Sequence, residues 1–381
     1  MKKILVVFGT RPEVIKLTPV INELKRNSKF KIVLCSTGQH KEMLKQMSNI
    51  FKLKINYDLD IMTRNQNLNN LTADALKKID LLLQKEKPDL LLVQGDTTTA
   101  FAASLAAFYH KIKIAHIEAG LRSNNIYSPF PEEVNRKIIS LVADFNFAPT
   151  QLAKQNLLKE GFNSNKIWIT GNTVIDAVLE IKKKLNNVFI SNKIKKKIES
   201  EAKQKFISDK YILITMHRRE KFGEDLKMIL ILLKELAEEN SEYKFVYPVH
   251  LNPNVKNPVN EILQKVKNFI LLPPVDYLSF LFLMQNCRFI ISDSGGVQEE
   301  CFVFKKPIMV LRKTTERNEA IDAGYAFLAG HSPKKIRKLF YLIDEKVSKG
   351  FNFFNKKNPF GDGKASQKIV KIIKNKLANT V

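Results

Sequence analysis

Short apolar runs alternate along the chain with longer stretches whose apolar residues recur every three or four positions. Ile4–Phe8, Lys31–Ser36, Leu90–Gln94, Ile112–Ile117 and Phe145–Ala148 are nearly continuous in apolar residues, the pattern of strands buried on both faces of a parallel sheet. Between them, Val14–Arg26, Lys41–Ile50, Leu71–Glu86, Thr98–Tyr109 and Glu132–Val142 carry helical periodicity. A second series begins after Gly171, with strands predicted at Tyr211–Thr215, Lys244–Val249, Phe269–Leu272, Phe289–Ser292 and Pro307–Leu311. Its helices are predicted at Asp225–Glu239, Pro258–Lys267, Tyr277–Asn286 and Val297–Phe304. The polar stretch 182–205 reads as an exposed helix or helix pair, and Ala365–Leu377 as a last helix. Repeated strand–helix–strand units predict an α/β chain of two Rossmann-like doubly wound domains facing a cleft. The expected division is 1–172 and 173–360, with 361–381 packing back on the first domain.

Composition narrows this little. The 381 residues are 44% apolar and 27% charged, an ordinary globular mixture. No apolar run approaches the roughly 18 residues a spanning helix needs, so no membrane insertion is expected. The first residues, Met1–Glu13, read as a strand and turn rather than a signal peptide, because the apolar run is short and Arg11 follows it. Three widely spaced cysteines (Cys35, Cys287, Cys301) exclude a disulfide framework and a cysteine zinc site, and they fit a reducing cytoplasm. The net charge of +25 sits mostly in lysine clusters such as Lys182–Lys184 and Lys195–Lys197. With no nucleic-acid-binding motif beside them, these read as solvated faces, and no nucleic-acid partner is expected.

Unusual residues concentrate where strands end. Gly9-Thr10-Arg11-Pro12-Glu13 starts the first helix, and Arg11, with Lys16 one turn on, faces an anion at a helix N-terminus. Asp96 follows the strand Leu90–Gln94 and is either functional or the cap of the next helix. His116 and Glu118 share one strand face; a carboxylate there needs a partner, and Arg122 is one candidate. Glu132 and Glu133 open a helix, with Arg136 at i+4 from Glu132. His217, Arg218 and Arg219 follow another strand as an acid/base or phosphate clamp, and His250 ends the next. Ser294-Gly295-Gly296 precedes a helix and offers backbone N–H groups to a phosphate, with Glu300 one turn on for ribose hydroxyls. Dinucleotide and P-loop fingerprints are absent. The inventory is a basic phosphate site with the carboxylates Asp96, Glu118 and Glu132 and the histidine His217, suited to acid/base work on a nucleotide-linked substrate.

These motifs, together with GNTVIDA at 171–177, YPVHLNPN at 247–254 and the segment 312–319, resemble those of the non-hydrolysing UDP-N-acetylglucosamine 2-epimerases, from residue 1 to the GDG at 361–363. The resemblance implies a glycosyltransferase-B-like pair of domains, a cytoplasmic homodimer, and no metal or redox cofactor. It implies inversion at carbon 2 of UDP-GlcNAc to give UDP-ManNAc through a 2-acetamidoglucal, serving surface polysaccharide synthesis. Asp96, Glu118, Glu132 and His217 match the family's catalytic group. Arg11, Lys16, Arg136, Tyr277, Ser294, Gly295, Gly296, Glu300 and Arg317 match UDP-binding positions, with the uracil near Pro273–Leu278. Gln39, His40, Glu133, Arg218 and His250 match a second, activating UDP-GlcNAc site, from which the chain departs at Glu42 and Asn65. Asn318 stands where the family's TERPE has proline. Alternatives are an epimerase of a modified UDP-sugar, whose relatives often read GxRPQ, and a hydrolysing epimerase, whose relatives read GTRADYG. Glu13 and the GTRPEVIK form favour UDP-GlcNAc and the non-hydrolysing branch.

Overall fold

A computed structural model describes residues 1–38, 51, 53–62, 67–216 and 223–378. The chain forms two compact units, Met1–Ala177 with Phe360–Val381, and Val178–Pro359. The division falls inside the helix Thr173–Leu185, a few residues beyond the point read from sequence.

The first unit is built on seven parallel strands: β1 (Lys2–Phe8), β2 (Phe30–Ser36), β3 (Tyr57–Asp58), β4 (Leu90–Gln94), β5 (Lys113–Ile117), β6 (Phe145–Ala148) and β7 (Ile167–Ile169). Their order is β3-β2-β1-β4-β5-β6-β7. The strands are buried because helices cover both faces; Leu5, Val7, Leu91 and Val93 pack with Ala75, Ile79, Ala103 and Ala107 of the helices Leu68–Glu86 and Thr98–Tyr109. The second unit repeats the plan with β8 (Tyr211–Thr215), β9 (Lys244–Pro248), β10 (Phe269–Leu272), β11 (Ile290–Ser292), β12 (Ile308–Val310) and β13 (Ala326–Leu328), ordered β10-β9-β8-β11-β12-β13. Both sheets reverse direction beside their first strand, between β1 and β4 and between β8 and β11. At such a switch point neighbouring loops part and leave a crevice at the carboxyl ends of the strands. The Rossmann-like class expected from the alternating pattern is borne out in both units.

The differences from the sequence reading are local. Strands β3, β7 and β13 have two or three residues and no periodic signal of their own. The helices Gln151–Lys159 and Pro333–Ser348 have no counterpart in the sequence reading. The helix expected from Pro258 starts at Pro253, with Asn252 as its cap, and Pro258 lies inside it. The helix expected at Val297–Phe304 is Gly295–Glu300. The helix expected at Lys41–Ile50 lies outside the described residues. No described helix is long and apolar enough to cross a membrane.

The C-terminal helix Ala365–Ala378 belongs to the first unit through a clasp between two glycine turns. Gly171 and Gly361 lie so close that a Cβ on Gly361 would come within 3.1 Å of the Gly171 Cα, and both have positive φ. Beside them the Asn172 N–H donates to Phe360 O at 2.7 Å. Asp176 then caps the last helix, accepting from the backbone of Ala365 at 3.2 Å and of Ser366 at 2.9 Å, and from the Ser366 hydroxyl at 2.6 Å. Asp176→Ala is expected to cost about 2–4 kcal/mol, because it strands two buried backbone donors. Urea denaturation measures this, and hydrogen exchange at 365–378 should accelerate.

Candidate active site

At the switch point of the first sheet, the turn after β1 is held by the residue that ends its motif. The Glu13 carboxylate accepts from Gly9 N at 3.0 Å and Thr10 N at 2.7 Å, and from the Thr97 hydroxyl at 2.8 Å. Burial pushes its carboxyl above the ordinary value, and those hydrogen bonds pull the other way. Glu13 thus ties the β1 turn to the β4 turn, and its influence is on the shape of the loop carrying Arg11, which is half-buried.

Thr97, not Asp96, caps the helix Thr98–Tyr109, accepting from Ala100 N at 3.0 Å. That releases the Asp96 carboxylate for Arg136, whose Nε and Nη2 lie 2.8 and 2.7 Å from Oδ2. Arg136 also reaches Glu133 at 3.0 Å, and Asn135 donates to the Asp96 carbonyl at 2.8 Å. One turn of the helix Glu132–Val142 therefore orients Asp96 from across the fold. Glu133 is fully buried and accepts from the backbone of Ser123 and Asn124. Glu132, beside it on the first turn, is half-buried.

Glu118 lies in the turn after β5 with φ +68°, a conformation rare for a residue with a Cβ. The turn is fixed by Gly120, where a Cβ would meet the Ala153 carbonyl oxygen at 2.2 Å. Lys16 Nζ sits 2.6 and 2.7 Å from the two Glu118 oxygens, Gln94 donates to Oε2, and Asn172 donates to Oε1 at 2.9 Å. Arg122 pairs instead with Glu160, at 2.9 and 2.8 Å. His116 Nε2 lies 2.7 Å from the Gly95 carbonyl and must therefore carry the proton, so this ring braces the loop bearing Asp96. Burial drives the His116 pKa down to about 4.

At the switch point of the second sheet, Ser294, Gly295 and Gly296 start the helix Gly295–Glu300. A Cβ on Gly295 would press on the Arg317 guanidinium at 3.3 Å, whereas Gly296 is open. Arg317 is fixed by buried Glu299 at 2.8 Å and approached by Glu316 at 3.5 Å, which also binds Arg312 at 2.9 Å. Burial opposes ionisation of Glu316, but Arg317 and Arg312 outweigh it and hold the carboxyl well below its usual range. Tyr277 donates to Glu300 at 2.8 Å, aiming a carboxylate beside the glycine turn. Gln298 links Ser294 O to Thr315 and takes the Tyr325 hydroxyl on its own carbonyl.

The first unit thus brings Arg11, Lys16, Asp96, Glu118, Glu132 and Arg136 to one sheet end, and the second brings Tyr277, Ser294, Gly295, Gly296, Glu300 and Arg317 to another. His217, Gln39, His40 and Arg218 lie outside the described residues. Of the residues expected at an activating site, those that remain are Glu133, which is internal, and His250, which is exposed and accepts from Asn252 N at 3.1 Å. Sequence reasoning missed Gln94, Glu299, Arg312 and Glu316 as partners, because each acts through another side chain.

Two parallel sheets of this order, each with charged turns at its switch point, define a pair of Rossmann-like domains of the glycosyltransferase-B type. The chain belongs to the UDP-N-acetylglucosamine 2-epimerase family, an isomerase family whose model matches residues 22–374. It is 47% identical to a UDP-N-acetylglucosamine 2-epimerase of Campylobacter jejuni over 98% of this chain and 97% of that one. The crystal structure of a UDP-GlcNAc 2-epimerase from Neisseria meningitidis bound to UDP-GlcNAc matches with a TM-score of 0.93 at 45% identity, covering 98% of this chain and all of that one. The enzyme of Methanocaldococcus jannaschii in complex with UDP-GlcNAc and UDP matches with a TM-score of 0.84 at 35% identity, covering 98% and 99%.

The His116 pKa has a consequence for stability. The unfolded chain takes up this proton near the ordinary value of 6.5, the native state only near 4. Acidification through that window therefore favours unfolding, by up to about 3 kcal/mol at its lower end. Denaturant titrations at several pH values should show a flatter pH dependence for His116→Gln than for the wild type.

Proposed function

We propose that this chain interconverts UDP-GlcNAc and UDP-ManNAc by inversion at carbon 2. A base removes the carbon-2 proton while the carbon-1–oxygen bond breaks, and UDP leaves with the electron pair by anti elimination. The resulting 2-acetamidoglucal stays bound, receives a proton on its opposite face at carbon 2, and UDP re-forms the bond at carbon 1. The observation that carries this reading is the concentration at one sheet end of carboxylates held by cations, Asp96 on Arg136 and Glu118 on Lys16. Groups fixed this firmly can face charge as it develops without reorganising.

In this reading Asp96, Glu118, Glu132 and His217 handle the sugar. Arg11, Lys16, Arg136, Tyr277, Ser294, Gly295, Gly296, Glu300 and Arg317 bind the UDP portion. The Gly295–Gly296 turn supplies backbone N–H groups to the diphosphate, and Glu300, aimed by Tyr277, accepts from ribose hydroxyls. The enzyme acts as a homodimer in the cytoplasm and feeds surface polysaccharide synthesis. In keeping with this, its three cysteines are free and buried. Leu81, Phe108, Tyr109 and Leu141 are more than half exposed on three neighbouring helices of the first unit, an apolar surface of the kind a dimer buries.

Incubation with UDP-GlcNAc alone in deuterated water tests the activity. Proton NMR should show UDP-ManNAc and deuterium at carbon 2, whereas free sugar with UDP would point to hydrolysis. Asp96→Asn, Glu118→Gln, Glu132→Gln and His217→Asn should each lower turnover by about 100-fold or more, with UDP binding surviving in most of them. Near-wild-type rates in two of them would place the chemistry elsewhere.

A further inference from the structure

The Glu118 carboxylate has donors on both oxygens, and one of them arrives from an unexpected part of the chain. Lys16 bridges Oε1 and Oε2, and Gln94 donates to Oε2 from the end of β4. Asn172 donates to Oε1 at 2.9 Å from a turn 54 residues further along. The Asn172 side chain is buried and used at both ends, because its Oδ1 accepts from Val174 N at 3.2 Å. Its backbone N–H is held by Phe360 O at 2.7 Å, inside the glycine clasp that returns the C-terminal segment to this unit.

We infer that Asn172 is a positioning residue for the reaction at carbon 2, fixing the Glu118–Lys16 pair in one geometry. The inference rests on the function proposed above. Its logic is the asymmetry of the amide. Only a side chain with both a donor and an acceptor can hold Glu118 and cap Val174 at once. Aspartate keeps the size and the cap but loses the donor, and it sets a second carboxylate 2.9 Å from the first. Two carboxylates that close repel when both are ionised, so the pair shares a proton more readily as the pH falls and titrates together. Once protonated, the introduced carboxyl can donate again, which restores the original arrangement.

The test is Asn172→Asp against wild type, with kcat and KM for UDP-GlcNAc measured from pH 6 to pH 9. At pH 8 the variant should lose about 30-fold in kcat with KM within about threefold, and should recover about tenfold relative to wild type as the pH falls to 6. Asn172→Ala should lose kcat without that recovery. A kcat like that of wild type, a loss independent of pH, or an effect confined to KM overturns the inference. Gln94→Glu makes the same test at the other oxygen should the Asn172 variants fail to fold. Wild type without epimerase activity would remove the proposed function itself. The positioning claim is then decided by the crystal structure of Asn172→Asp at pH 8 or above, in which the Glu118 carboxylate must have moved from Lys16; an unmoved carboxylate at that pH overturns it.

Discussion

The buried pair of Lys16 and Glu118 is the constraint on which the first unit's site depends. An unpaired charge in that position is costly, and an ion pair recovers its desolvation only when the remaining lone pairs also find donors. The structure meets the condition with amides from two other segments, Gln94 and Asn172. It accepts a strained backbone at Glu118 to bring the carboxylate there. Four separate segments must therefore be correctly placed before this one pair is satisfied: the helix carrying Lys16, the end of β4 with Gln94, and the turns carrying Glu118 and Asn172.

The second unit solves the opposite problem. There an arginine is the group being held, and buried carboxylates hold it. Arg317 is gripped by Glu299 at its Nε, on the edge of the guanidinium, and Glu316 is shared with Arg312. Carboxylates here position cations, whereas in the first unit cations position carboxylates. Both arrangements pre-arrange charge before any ligand arrives, which is where polar sites gain most over water.

The architecture was legible because continuous apolar runs such as Leu90–Gln94 and Tyr211–Thr215 are long enough to mark strands buried on both faces. Edge strands of two or three residues left no trace, and Gln151–Lys159 buries only Ala153 and Leu157, too few to show a period. Pro333–Ser348 was readable, since Ile336, Phe340 and Ile343 stand at helical spacing. At the site, residue types at strand ends pointed to charge and phosphate. Pairings did not follow from them, because Lys16 and Glu118 are 102 residues apart and Glu118 and Asn172 are 54 apart. Asp96 shows the limit of local reasoning: sequence left it either functional or the cap of the next helix, and only the capping by Thr97 shows that its carboxylate turns to Arg136 instead.

The glycine clasp makes the order of synthesis matter. Residues Val178–Pro359 form a unit contiguous in sequence, whereas the first unit needs Phe360 and the helix after it. A ribosome must translate past the whole of the second unit before Asn172 finds the Phe360 carbonyl. Until then the amide that steadies Glu118 lacks this anchor behind it. The nascent protein therefore stays unfinished behind Glu118 until the closing helix of the first unit emerges from the exit tunnel.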